Sequence, residues 1–266
     1  MDALTEKYER LLASLRALGS AAVAFSGGVD STLLLRAALG ALGDRCAAVT
    51  VRSVFFPETE AAAAEALCAA LGAAQVCLDA DVLAVPGVKE NPPERCYLCK
   101  RAILGLVLDA AAARGCACVV EGSNADDVSD DRPGARAIEE LGVKSPLKDA
   151  GLTKAEIRAL SRRLGLPTAD KPAKACLATR FPTGAALTPE GLKRAGAAED
   201  ALTALGLTQK RVRVHGDLAR IEALPEEFPL LLAKRAEADA ALRELGFRFV
   251  ALDLGGYRTG SMNLKK

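Results

Sequence analysis

The sequence predicts an α/β protein: a doubly wound parallel sheet followed by a second, smaller α+β domain. Three observations carry this. Short apolar runs alternate with helical patterns up to about residue 165, as βαβ units require. A glycine turn joins the first of those runs to an apolar helix in VAFSGGVDSTLLL, residues 23–35. Past a proline-punctuated stretch at 166–187, the order of elements changes to αββαβ.

The elements follow in order. Leu4, Tyr8, Leu11, Leu12 and Leu15 recur at helical spacing and predict an amphipathic opening helix over 2–18. Strands are predicted at 21–25, 46–51, 74–78 and 117–121, with helices at 31–39, 58–71 and 97–113 between them. A helix over 153–164 opens on the capping box Thr153-Lys154-Ala155-Glu156 and closes at Gly165 before Pro167. The first domain therefore spans 1–165. Residues 166–187, broken by Pro167, Pro172 and Pro182, are read as an interdomain loop, and loops of that length are usually functional or disordered. In the small domain, 188–266, a helix is expected over 188–205, then strands at 210–215 and 217–223 about a Gly216-Asp217 turn. A helix over 226–244 and a strand at 247–254 complete it. So small a domain buries little core alone, and FPLLL at 228–232 offers apolar helix surface; a homo-oligomer is expected.

At 266 residues the chain has room for one large or two medium domains. Lys plus Arg number 35 and Asp plus Glu 34, a balance that argues against nucleic acid as the main partner. MDALTEKYER carries charges and no apolar leader segment, and no uncharged run reaches membrane-spanning length, so a soluble, cytoplasmic protein without a membrane partner is expected. Eight cysteines in such a setting point to thiol or metal chemistry rather than a disulfide framework. The single histidine, His215, leaves little material for a histidine metal site or a Ser-His-Asp triad.

Ser26-Gly27-Gly28-Val29-Asp30-Ser31 lies between a strand and a helix whose N-terminus aims amide donors at an anion. It has neither the lysine of a Walker loop nor the third glycine of a dinucleotide fingerprint. Asp30 is the natural ligand for a Mg²⁺ ion bridging phosphates. Asn124 and Asp127 follow the strand ending at 121, where doubly wound sheets bind ligands, and are candidates for holding nucleotide or Mg²⁺. Val51 and Gly122, at strand ends, are counted with them as nucleotide-binding positions.

NPPERCYLCK at 91–100 places Cys96 and Cys99 at a helix start. There the dipole, Arg95, Lys100 and Arg101 favour thiolates. Cys176 lies between Lys174 and Arg180, also a thiolate setting. Cys46, Cys77 and Cys118 are assigned to strands and Cys68 to a helix, as small buried hydrophobes; Cys116 is unassigned. A structural zinc site needs two CxxC halves and only one is present. Three thiolates suit an iron–sulfur cluster with one iron left open. Arg211, Arg213 and His215 alternate along one predicted strand. Two arginines so placed can clamp a phosphate, the alternative being a solvated strand face.

SGGVDS resembles the PP-loop of the N-type ATP pyrophosphatases. That resemblance implies ATP with its β- and γ-phosphates on the loop, cleaved to AMP and pyrophosphate. Together with NPPERCYLCK, EGSNADDVSDDRPG (121–134), GVKSPLKDAGLTKAEIRALSRRLGLPT (142–168), KPAKACLATR (171–180), RVRVHGDLARIE (211–222) and GYRTGSMN (256–263), the chain resembles the LarE family over nearly its whole length. LarE proteins are sulfur transferases of nickel-pincer nucleotide cofactor synthesis. The resemblance implies a PP-loop domain at 1–165, the loop carrying Cys176, and a small substrate and oligomerisation domain. It also implies a pyridinium dicarboxylate mononucleotide substrate, whose carboxylates are adenylated and converted to thiocarboxylates. Sulfur would come sacrificially from Cys176 or from a [4Fe–4S] cluster on Cys96, Cys99 and Cys176, the three-cysteine pattern this chain matches. ATP and Mg²⁺ are the implied cofactors, a hexamer the implied assembly, and Arg211 and Arg213 the candidates for the substrate phosphate. Competing readings are a PP-loop tRNA thiolation enzyme with an iron–sulfur cluster, an ammonia-using synthetase of the NAD or GMP type, and a nucleotide sensor without chemistry.

Overall fold

Residues 2–127, 133–172 and 175–258 are described by the computed structural model. The chain divides into two compact units. The first comprises Met1–Ser53, Glu58–Val85 and Glu94–Lys174, and the second Val54–Pro57, Pro86–Pro93 and Ala175–Lys266.

The first unit opens with helix α1 (Ala3–Ala17), capped by Asp2, whose carboxylate accepts the Thr5 amide at 2.7 Å. Then come β1 (Ala21–Ala24), α2 (Val29–Leu42), β2 (Cys46–Arg52), α3 (Glu58–Ala70), β3 (Ala74–Asp79), α4 (Arg95–Ala113) and β4 (Val119–Val120). Helices α5 (Pro133–Glu140), α6 (Pro146–Asp149) and α7 (Lys154–Arg163) close the unit. The strands pair in parallel in the order β3-β2-β1-β4. Because side chains alternate along a strand, β1, β2 and β4 each feed two cores. Ala21, Val23, Cys46, Ala48 and Val120 pack with α1, α2, α3, α6 and α7 on one face. On the other face, Ala22, Val49 and Val119 pack with Leu104 and Val107 of α4 and Ile138 of α5. This is a Rossmann-like layer arrangement. The chain runs outward from β1 to β3 and then returns as β4 on the other flank of β1. The carboxyl ends of β1 and β4 therefore flank the crevice where such sheets take ligands.

The second unit holds α8 (Pro189–Ala204), β5 (Lys210–His215), β6 (Leu218–Ala223), α9 (Phe228–Ala233), α10 (Arg235–Glu244) and β7 (Phe249–Leu252). Its sheet is mixed: β5 and β6 form an antiparallel hairpin about Gly216, and β7 pairs in parallel with β6. Leu192, Ala195 and Leu202 of α8 are buried, as are Val212, Val214, Ile221 and Leu242 of the other elements. No described helix is long and apolar enough to cross a membrane.

Two expected elements are corrected. The strand predicted at 117–121 shrinks to β4, two residues long. Cys118 precedes it, although its carbonyl still accepts the Ala22 amide at 2.9 Å. The helix predicted over 226–244 is broken: a 3-10 turn at Pro225–Glu227 leads into α9, and Lys234 (φ −99°, ψ 21°) leaves helical geometry before α10. Leu231 and Ala238 are thereby buried from separate helices. Within FPLLL, Leu231 is buried and Leu232 exposed.

Candidate active site

The first site grows from the turn after β1. The Phe25 amide bonds the Val49 carbonyl at 2.9 Å, carrying sheet pairing one residue past β1. Gly27 then takes φ +67°, and a Cβ there would lie 3.0 Å from Ala64 Cβ and 3.2 Å from Ala64 Cα, so the loop seats directly on α3. Gly28 is the N-cap of α2 and brings no side-chain acceptor to the first-turn amides of that helix. The Ser26 and Ser31 hydroxyls are bonded to each other at 3.0 Å, and Ser31 also donates to the Gly28 carbonyl at 3.2 Å. Gly122 passes over this turn so closely that a Cβ would stand 3.1 Å from the Ser31 amide nitrogen. Thus the loops after β1 and β4 are in contact, as the strand order requires.

Asp30 projects from the first turn of α2. Asn124 Nδ2 donates to Oδ1 at 3.4 Å, and the Lys154 ammonium pairs with Oδ2. Lys154 is the first residue of α7, and its amide donates to Asp126 Oδ2 at 2.8 Å. The predicted capping box is present there, Thr153 accepting the Glu156 amide and Glu156 the Thr153 amide. Asp127 accepts the Asn124 amide at 3.1 Å, so it shapes the loop that holds Asn124 against Asp30. A second ammonium, Lys171, donates to the Gly27 carbonyl at 3.0 Å and pairs with Glu60 at 2.8 Å. Buried Glu121 accepts from Ser145 at 2.6 Å, the Ser123 amide at 3.0 Å and Lys100 at 3.3 Å. Val51 lies near the end of β2 and packs on the α4–α5 side. The sequence-predicted residues 26–31, Gly122, Asn124 and Asp127 are therefore brought together. Lys154, Lys171 and the Lys100–Glu121 pair are additions that sequence reasoning missed. Their partners are distant in sequence; Lys154 was read only as part of a helix cap, and Lys100 only as a charge beside the Cys96 and Cys99 thiols.

The thiols fall into two groups. Cys96 is exposed in the first turn of α4 and Cys99, a turn later, is buried. Cys176 caps a 3-10 turn at Leu177–Arg180 in the second unit and is half-buried. Lys174, its predicted neighbour in charge, lies outside the described residues, as do 128–132 of the 121–134 motif and the end of the 256–263 motif. Burial pushes the Cys46 and Cys68 thiols up to about 12 and also raises Cys77 and Cys118, so these stay protonated at neutral pH; Cys77 and Cys118, expected to be buried, are half-buried.

On β5, Arg211 and Arg213 are 8% and 5% exposed, which excludes the alternative of a solvated strand face. Arg213 forks onto Glu222 Oε2 at 2.9 and 2.7 Å and donates to the Thr179 carbonyl at 2.9 Å. Glu222 is fully buried and also receives Arg220 at 3.1 Å. Arg211 donates to the Lys210 carbonyl at 2.7 Å and lies 5.2 Å from the Tyr257 ring centre. Burial, then the nearby Arg180 charge, lowers the Arg211 pKa from its ordinary value.

The fold and the turn together define a Rossmann-like α/β protein with a glycine-bearing loop at the switch point of its parallel sheet. No protein-family profile matches the chain. It is 39% identical over 264 residues, covering 99% of this chain and 96% of the other, to the pyridinium-3,5-bisthiocarboxylic acid mononucleotide synthase of Lactiplantibacillus plantarum. It is also 39% identical over 262 residues, 98% of both chains, to an uncharacterized protein of Synechocystis. An uncharacterized protein of Methanocaldococcus jannaschii is 29% identical over 237 residues, 89% of this chain and 90% of its own. The chain belongs to the LarE family, the family of that synthase.

Proposed function

We propose that the protein is an ATP-dependent sulfur transferase. It would adenylate the two carboxylates of pyridinium-3,5-biscarboxylic acid mononucleotide in turn and convert each to a thiocarboxylate, for nickel-pincer cofactor synthesis. The observation that carries this reading is the 39% identity, over 99% of the chain, to the synthase that bears the product's name. The loop chemistry agrees with it. A substrate carboxylate oxygen attacks the α-phosphorus of ATP, and pyrophosphate leaves. The charge that builds on the leaving group faces the α2 amides, with Lys154 and Lys171 beside the loop. Asp30 is the residue to hold Mg²⁺, which would neutralise phosphate charge; its carboxylate is already oriented by Asn124. A sulfur nucleophile then attacks the acyl carbon and AMP departs with the former carboxylate oxygen, a far better leaving group than oxide.

The sulfur route is proposed from the thiols. Cys96, Cys99 and Cys176 suit the three-thiolate pattern of a [4Fe–4S] cluster, and Cys46, Cys68, Cys77 and Cys118 are held protonated. Such a cluster would supply sulfur repeatedly. The alternative source is Cys176 itself, by β-elimination to dehydroalanine. Arg211 and Arg213 are proposed to receive the substrate's phosphate, and the protein to work in the cytoplasm as a homo-oligomer, hexameric by family resemblance.

The test is to supply the biscarboxylate mononucleotide with Mg·ATP and sulfide under anaerobic conditions. AMP, pyrophosphate and a thiocarboxylate product are expected, and the chain's mass is retained. Loss of about 34 Da, one H₂S, would establish the sacrificial route. No sulfurated product under either condition refutes the function.

A further inference from the structure

Arg180 is the largest fully buried side chain of the described residues, 2% exposed, and every branch of its guanidinium is engaged. Nε and Nη2 fork onto Oε1 and Oε2 of Glu199, each at 2.8 Å. Nη1 reaches the Ala175 carbonyl at 2.9 Å, the Cys176 carbonyl at 3.2 Å and Thr179 Oγ1 at 2.9 Å. The Cys176 carbonyl also accepts the Thr179 hydroxyl at 2.7 Å and the Thr179 amide at 3.0 Å. Three donors therefore converge on one carbonyl, that of the cysteine. From the other end, Glu199 Oε1 accepts the Val212 amide of β5 at 3.1 Å, and Arg213 of the same strand donates to the Thr179 carbonyl at 2.9 Å. The circuit is closed: Cys176 backbone, Arg180, Glu199, β5, Arg213, Thr179 and back.

A buried ion pair is a poor source of stability, because desolvating both charges offsets their attraction. What a bidentate fork supplies is fixed geometry. We propose that Arg180 and Glu199 are positioning residues that hold the Cys176 backbone in register with Arg211 and Arg213. This rests on the sulfur-transfer reading: a sulfur atom must meet an acyl carbon on a substrate whose phosphate the arginine strand anchors. Neither Arg180 nor Glu199 needs to touch substrate for this. Near-attack placement is sensitive, and an error of about 1 Å costs on the order of 10²-fold in rate.

The test uses the full chain with Arg180→Lys, which keeps the charge and loses the fork, Glu199→Gln, and Arg180→Met. Arg180→Lys is expected to lower kcat for thiocarboxylate formation by about 10²-fold. KM for the mononucleotide should stay within about twofold, the signature of a lost positioning effect rather than lost binding. Pyrophosphate release, which reports adenylation alone, is retained. In the metal-free protein, iodoacetamide labels Cys176 faster in the variants than in the parent, read by peptide mass spectrometry. Glu199→Gln shifts the same readouts in the same direction, and it carries the test with Arg180→Lys if Arg180→Met does not fold. Unchanged labelling together with unchanged sulfur transfer overturns the proposal. So does a parallel fall of pyrophosphate release and sulfur transfer, which would mark a general structural role. If the parent protein makes no thiocarboxylate, the functional reading fails, and the Cys176 labelling comparison still decides whether the pair holds the cysteine.

Discussion

Replacing Gly27 with alanine tests most directly the turn proposed to receive phosphate. Two costs add. A side chain at φ +67° enters the left-handed region, at about 1–2 kcal/mol. Its Cβ also meets Ala64 Cβ at 3.0 Å and the α3 backbone at 3.2 Å, a contact that Ala64 cannot rotate away from. Overpacking of that kind costs about 1–3 kcal/mol. Gly165 separates the terms, having φ +67° at the end of α7 with nothing within 4 Å of an added Cβ. Gly165→Ala should therefore show the backbone cost alone, and Gly27→Ala should exceed it by about 1–3 kcal/mol, a few degrees in thermal midpoint. Relief of the clash moves the loop off α3 and misaims its amides. Loss of one charge-assisted hydrogen bond, about 1.5–3 kcal/mol, weakens ATP by about 10–100-fold in equilibrium dialysis. Gly165→Ala leaves that affinity unchanged. Equal stability of the two variants, with ATP binding retained in Gly27→Ala, would refute the placement of the turn against α3.

Asp30→Ala should abolish ATP-dependent AMP release while circular dichroism stays at the parent spectrum, since Asp30 is the carboxylate at the first turn of α2. Lys171→Met frees the Gly27 carbonyl and should raise KM for ATP with a smaller effect on kcat, checked by steady-state kinetics. The Cys46 thiol, ordinarily near 9, is pushed to about 12 by burial, so above pH 9 the unfolded chain ionises first. Stability is then lost as pH rises towards 12, and Cys46→Ala should flatten that alkaline limb of the urea midpoints. Anaerobic preparations should be brown, and Cys96→Ala, Cys99→Ala and Cys176→Ala should each lose the colour and multiple turnover; full activity in Cys96→Ala would exclude the cluster.

Much of the first unit could be read from local pattern. Strands β1, β2 and β3 were legible because a glycine (Gly19, Gly43 or Gly72) precedes each apolar run, and α7 because Thr153 and Glu156 cap it reciprocally. Helices α5 and α6 escaped, being short and opening on Pro133 and Pro146 in stretches without a sustained period. The break at Lys234 has no glycine or proline to announce it. For the site, the turn at 26–31 and Asn124 were visible because glycine spacing and strand ends are local signals. Lys154, Lys171 and the Arg180–Glu199 pair were not, since an ammonium or guanidinium choosing a partner across the sequence leaves no periodicity to read.

The division of the chain into interleaved segments has a consequence for its birth on the ribosome. Phe55, fully buried in the second unit, offers its carbonyl to the Leu177 amide at 2.9 Å. The Lys89 and Asn91 carbonyls likewise accept the Leu187 and Gly184 amides, both at 2.8 Å. Those early segments leave the exit tunnel long before their partners are translated, and until then Phe55 is exposed and the carbonyls bond water. A nascent chain can wind the parallel sheet first, but it must keep Phe55 and 86–93 in waiting. A gene fragment ending near residue 172 would carry Phe55 without the later segment that pairs with it, so the first unit does not correspond to one continuous stretch that can be excised and carried to another chain.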